Sequence, residues 1–324
     1  MPSSLTHHWF ASQQLDHIPI DYRPSSPMEI EAYLVGAQGP DPLFFYGYVP
    51  WRKRTNKAEV NAFGSRLHQE EIAEKFERML LFLQTKDQRT EVRILRAFLL
   101  GAMSHYVLDR NVHPYVFYRS GFSAQDPKRY EIYHAQYETM IDVFLLKHFR
   151  ISPRKHPAKK AIQASHHAMW WVSQMYGDEE TEAQNDWYYE AWRDMLTVEK
   201  VLYDPWGIKR TLLRWLGKQH TQLYAMMHPC GSLDKDHHDY LNTTHEQWRH
   251  PGNGLFAQTS IWDLVEQASE ELSQGVLILI KYFENQDASD ELQSFCSQID
   301  YSGLKPTETM QYHDSHYDKY SVVL

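Results

Sequence analysis

Along this chain apolar residues return every third or fourth position, and the period-two alternation of a half-buried strand is hard to find. In HQEEIAEKFERMLLFLQ, Ile72, Phe76, Met79, Leu80 and Leu83 fall on one helical stripe. The most apolar helix is expected in EVRILRAFLLGAMSHYVLD, with Leu95, Phe98, Leu99 and Met103 along it, and it should be central. Boundary signals agree with the periodicity. Ser26 and Pro27 open a helix that Gly36 ends, and Ser260 with Asp263 forms a capping-box-like pair heading SIWDLVEQASEELSQGVLILIKYF. Further helices are expected over roughly 6–16, 127–149, 157–176, 180–203 and 207–227, with a short one near 289–298. His68 stands where a helix is expected to start, and Pro114 where the central helix is expected to end. Residues 38–56 read as a Pro/Gly/aromatic loop, and 228–256 as a polar, His-rich one. With no internal repeat and no low-complexity linker, the simplest reading is a single all-α, multi-helix domain over 1–324. Its chemistry lies within 1–140 and a further helical part over 155–300.

Composition narrows the function classes. A chain that is 42% hydrophobic and 23% charged is an ordinary globular one. A net charge of −9 disfavours a nucleic-acid binder, although metal ions could still present positive charge to a phosphate-bearing substrate. Two cysteines, Cys230 and Cys296, make no disulfide framework, so a reducing compartment fits. MPSSLTHHWF has neither basic nor apolar signal regions, and GVLILI is too short to span a bilayer, so a cytoplasmic location without a transmembrane segment is expected. The 19 histidines exceed what a surface needs, although about half of them are expected to have no role.

The histidines that matter fall in HYVLDRNVHPYV. His105, Asp109 and His113 stand at steps of four, on one side of a helix. The outer two lie about 12 Å apart along the axis, too far to share one tetrahedral ion. Two or more ions with Asp109 between them fit the stripe, because a carboxylate can bridge two metals. His134 and Glu138 repeat the step on the neighbouring helix. Antiparallel packing would bring them beside His113, in a set suited to zinc. A single pair at that spacing is ordinary helix packing; the combination is far less expected by chance. Upstream, Thr6-His7, Asp41 in GAQGPDP and His68 in GSRLHQE add two imidazoles and a carboxylate from separate segments.

Taken in order, THHWF, GAQGPD, SRLH, HYVLDRNVHP and HAQYE resemble the bacterial zinc-dependent phospholipase C family. They are also similar to the catalytic domain of glycosylphosphatidylinositol-specific phospholipase D, and more distantly to fungal single-strand zinc nucleases. The resemblance covers residues 1 to about 140 and implies a helical domain with up to three zinc ions. It implies that Asp41, His68, His105 and Asp109 hold the first, and His113, His134 and Glu138 the second. His7, Asp109 and the chain terminus would hold the third, with Pro2 at the terminus once Met1 is removed. Three residues separate Asp109 from His113, as in the phospholipase D branch, where secreted phospholipases and the nucleases have five. The terminus also lacks the Trp those enzymes carry.

The reaction implied is hydrolysis of a phosphoester, most simply a phosphodiester in a phospholipid, with Asp41 orienting or deprotonating the attacking water. Phe44, Phe45, Tyr46, Tyr48 and Trp51 are candidates to hold acyl chains or a headgroup, with Arg52, Lys53 and Arg54 near phosphate; core packing is an equal alternative for the aromatics. The 228–251 loop is expected to pack over the cleft through Trp248 rather than to bind a second metal. Two other functions stay open: a nuclease or nucleotidase, and a non-catalytic zinc-binding protein. Oligomeric state has no signature in the sequence.

Overall fold

The apolar stretch around Leu99 becomes the axis of the molecule. In the computed structural model, which describes residues 4–70, 72–121, 127–151, 158–177, 186–218, 221–228 and 238–314, this stretch belongs to a helix of 32 residues, Arg89–Ser120. It is the fifth of twelve α-helices among the described residues and is named α5. At 1.5 Å per residue it runs about 48 Å. Helices α1 (Ser4–Gln14), α2 (Pro27–Gly36), α4 (Ile72–Gln84), α6 (Pro127–His148), α7 (His166–Tyr176) and α11 (Ile261–Phe283) all pack against it. Phe98, Leu99, Leu100, Met103 and Tyr106 are therefore fully enclosed. Burying each such side chain contributes about 1.5–3 kcal/mol. No described helix is long and apolar enough to cross a membrane.

Local signals set several boundaries as expected. The Ser26 side chain accepts a hydrogen bond from Glu29 N at the start of α2, and Ser260 with Asp263 closes a reciprocal capping box on α11. A short helix α12 (Ser289–Cys296) follows α11. The expected 38–56 loop contains a 3-10 turn over Asp41–Phe45.

Four boundaries differ. Helix α5 does not end at Pro114 but continues to Ser120. Tyr115 and Val116 beyond the proline are core residues, and their burial outweighs the lost backbone bond. His68 lies in the last turn of a helix, α3 (Lys57–Gln69), rather than at a start. Of the helix expected over 157–176, the described residues 158–165 are not helical apart from a 3-10 turn, because Ser165 caps α7 by accepting from Ala168 N. The 207–227 region is two helices, α9 (Ile208–Trp215) and α10 (Gln222–Ala225), divided by Gly217 at φ +69°. Between α7 and α9 lies α8 (Trp187–Leu202). The His-rich region carries one antiparallel pair, β1 (Trp248–Arg249) with β2 (Phe256–Ala257).

The closest helix contact holds the site's scaffold together. Helices α2 and α5 meet at Gly36 and Gly101, where an added Cβ would lie 2.3 Å from Phe98 O and 2.0 Å from Tyr33 O respectively. No side chain fits there without parting the helices. Gly101→Ala is expected to lower stability by about 2–3 kcal/mol, read as an earlier urea midpoint at unchanged slope.

Candidate metal centre

The geometry begins with the step of four on α5. His105 Nε2 lies 3.2 Å from Asp109 Oδ2, and His113 Nδ1 lies 3.6 Å from the same oxygen. Helix α1 then brings His7, whose Nε2 is 3.0 Å from the other oxygen, Asp109 Oδ1. One buried carboxylate thus touches three imidazoles. Helix α6 packs beside α5 and places His134 Nε2 and His113 Nε2 each 3.2 Å from Glu138 Oε1. The end of α3 places His68 Nε2 3.0 Å from Asp41 Oδ1. Three sets of donor atoms converge within 4.8 Å: His7, Asp41 and His105; His68, His105 and Asp109; and His113, His134 and Glu138.

The imidazoles are held from behind. His68 Nδ1 donates to Gly64 O at 2.7 Å, His105 Nδ1 to Ala37 O at 3.1 Å, and His113 Nδ1 to Tyr301 O at 2.7 Å. A carbonyl only accepts, so each Nδ1 carries the hydrogen and each Nε2 of a neutral ring presents its lone pair to the site. This is the arrangement that fixes metal-binding histidines. For His68 and His113 that lone pair faces a carboxylate oxygen at 3.0 and 3.2 Å. Two acceptors at that distance require a proton or a cation between them. His7 Nδ1, moreover, is buried without a hydrogen-bond partner among the described residues. Gly39, at φ +50°, completes the cradle: a Cβ there would lie 2.2 Å from His105 Cδ2.

The electrostatics match a cation site. Among the described residues, imidazoles are the only side-chain partners of Asp41 and Asp109. Burial opposes ionisation of Asp109, yet His113, His105 and His7 hold its carboxyl well below the usual range. Glu138 is held down in the same way, burial being outweighed by His134 and His113. Burial disfavours charge on His113, but Asp109 and Glu138 outweigh it and raise that imidazole to about 9. His105 and His134 move the other way, since burial dominates there. Three buried carboxylates among five imidazoles are a donor set suited to zinc.

Two supporting residues lie outside the donor set expected from the sequence. Tyr301, from the segment after α12, supplies the carbonyl for His113, lays its ring 4.9 Å from that of His68 and bonds His68 O through its own N–H. Nothing local marks it. Asp142 is one turn beyond Glu138 on α6 and accepts from Thr6 N at 2.8 Å, Thr6 Oγ1 at 2.6 Å and Leu5 N at 3.3 Å. It thereby caps α1 and sets the position of His7. Continuing the step of four from His134 and Glu138 would have found it.

The aromatic segment divides. Phe45 and Tyr46 are buried packing residues, Phe44 lies 4.9 Å from the His68 ring, and Tyr48 and Trp51 are exposed. Arg52 and Arg54 do not stand ready for phosphate: both pair with Asp194 of α8, and Arg54 also with Glu190. Their guanidinium groups compensate a fully buried carboxylate. Trp248 packs on Tyr115 and Tyr118 in the core rather than over the cleft, and no converging donor set among the described residues includes His238, His245 or His250. Pro2 and Cys230 lie outside the described residues.

Two outcomes follow from this geometry. Because His113 holds its proton up to about pH 9 in the metal-free protein, zinc must displace it. Zinc added at pH 7 in weak buffer is expected to release protons, and its apparent affinity to rise with pH towards 9; isothermal titration in buffers of different ionisation enthalpy reads both. Gly39→Ala is expected to push the His105 ring aside and weaken zinc affinity at least about 10-fold, measured by chelator competition.

Residues 6–190, more than half of the chain, match the family model described as zinc-dependent phospholipase C. No curated protein and no solved structure matches the chain. The matched span holds His7, Asp41, His68, His105, Asp109, His113, His134 and Glu138, the residues whose side chains meet in the buried centre. The chain belongs to the zinc-dependent phospholipase C family.

Proposed function

We propose that this chain hydrolyses a phosphodiester of a phospholipid at a centre of up to three zinc ions. Asp41, His68, His105 and Asp109 would hold one, and His113, His134 and Glu138 a second. His7 and Asp109 would hold the third. The observation carrying this reading is Asp109, whose two oxygens face His7 on one side and His105 and His113 on the other. That is the placement a bridging carboxylate needs.

Zinc supplies Lewis acidity there, drawing charge from a phosphoryl oxygen and lowering the pKa of water towards neutrality. The chain's own contribution is positioning and proton handling. Asp41 stays ionised because His68 and His105 outweigh its burial, so it can accept a hydrogen bond from the attacking water and orient it. His68 keeps Asp41 in place and is itself fixed by Gly64 O. Phe44, beside His68, gives the site an apolar wall. An apolar wall next to a cationic centre suits a substrate with a phosphoester at one end and hydrocarbon at the other.

The test is zinc content of untagged protein purified without chelator, followed by a screen of phospholipids, phosphomonoesters and nucleotides. Near three zinc ions per chain are expected, falling by more than one in Asp109→Ala. Asp41→Asn is expected to cut turnover on a phospholipid by at least about 100-fold. A zinc content near one or zero overturns the cluster. Hydrolysis of nucleotides alone overturns the lipid substrate.

A further inference from the structure

Helix α9 presents apolar side chains to solvent rather than to the core. Ile208, Leu212, Trp215 and Leu216 are 67%, 52%, 82% and 53% exposed. Their spacing places all four on one face of the helix. Only Arg210 and, in part, Leu213 turn inward. Lys209, Arg214 and Lys218 are exposed beside the apolar face, and residues 206–218 contain no acidic residue at all. In a chain of net charge −9 this is a local reversal of sign.

The helix is joined, through a shared hydrophobic cluster, to elements that carry the site's residues. Asp204 caps it, accepting from Ile208 N and Arg210 N. The Arg210 guanidinium lies 4.1 Å from the Tyr224 ring and donates to Tyr224 O, tying α9 to α10. On α10, Leu223 is exposed, and Gln222 takes a hydrogen bond from the Tyr48 hydroxyl. Leu213 packs on the cluster that includes Leu5, Phe45 and Ala135, close in sequence to His7, Asp41 and His134. The exposed face therefore belongs to the same support as the site's α1, α6 and aromatic segment.

We infer that α9 is a docking helix for an anionic phospholipid surface, seating Leu212 and Trp215 among the acyl chains with its lysines and arginine at the headgroups. Large apolar residues on an exposed face with cations flanking it are what an in-plane interfacial helix requires. Anionic lipid supplies the opposite charge. A second copy of this chain is the poorer occupant, since a two-fold contact would set these cations against their own copies. The inference deepens the lipid reading above and rests on it.

The experiment is co-sedimentation of the intact, zinc-loaded protein with vesicles, in parallel with hydrolysis of a short-chain phospholipid below its critical micelle concentration. Wild type is expected to bind vesicles of phosphatidylcholine with one-third phosphatidylserine at least 10-fold more tightly than pure phosphatidylcholine. Leu212→Glu/Trp215→Glu is expected to lose at least 10-fold of that binding while keeping its melting temperature and its rate on the monomeric lipid. Lys209→Glu/Arg214→Glu should abolish the preference for anionic vesicles. Equal binding by wild type and the apolar double variant overturns the proposal. So does absence of vesicle binding by wild type, or a dimer in sedimentation velocity that the variant converts to monomer. Vesicle binding without hydrolysis of the monomeric lipid sinks the enzymatic reading and leaves the docking face standing.

Discussion

The structure turns on one buried carboxylate. Asp109 is 4% exposed, in the middle of the longest helix, and stays ionised there. An isolated carboxylate in such a place would take up a proton or unfold its surroundings. It does neither because three imidazoles surround it, and they arrive by different routes. His105 and His113 come at no conformational cost from the same helix, one turn either side. His7 comes only if α1 docks, and Glu138 joins His113 only if α6 lies alongside. The requirement to compensate Asp109 therefore binds the N-terminal helix, the central helix and α6 into one unit.

The imidazoles in turn need orientation, and the backbone provides it. Carbonyls of Ala37, Gly64 and Tyr301 come from the end of α2, the interior of α3 and the segment after α12. Each fixes which nitrogen faces the centre. The close meeting of Gly36 and Gly101 brings α2 near enough for Ala37 to reach His105. The last of these segments also occupies the region around Pro114: a Cβ on Gly303 would lie 2.3 Å from the proline ring and 2.5 Å from Arg110 O. The proline thus sits where the chain returns to brace His113. Metal affinity and folding are coupled through this bracing, since the donors converge only in the folded chain.

Charge is distributed in two opposite ways. Inside, carboxylates and imidazoles gather where a cation completes them. Outside, an acidic protein carries one helix with cations around an exposed apolar face. Arg52 and Arg54 belong to neither set, because both are committed to the buried carboxylate of Asp194, which also accepts from Gly47 N. Two arginines that the sequence places near phosphate thus become structural support.

The helical periodicity, the caps at Ser26 and Ser260, and the His/Asp/Glu steps of four on α5 and α6 were readable from the chain, because each depends on residues within one or two turns. The order of the motifs likewise carried the family and the eight side chains that meet in the centre. Tertiary packing decided what local rules could not. It carried α5 through Pro114, placed His68 at the end of α3, and sent Phe45 and Tyr46 into the core. It also recruited Tyr301 from nearly two hundred residues away. Local spacing fixes which face a side chain shares with its neighbours. Only the packing of distant segments decides which carbonyl, carboxylate or ring that face will meet.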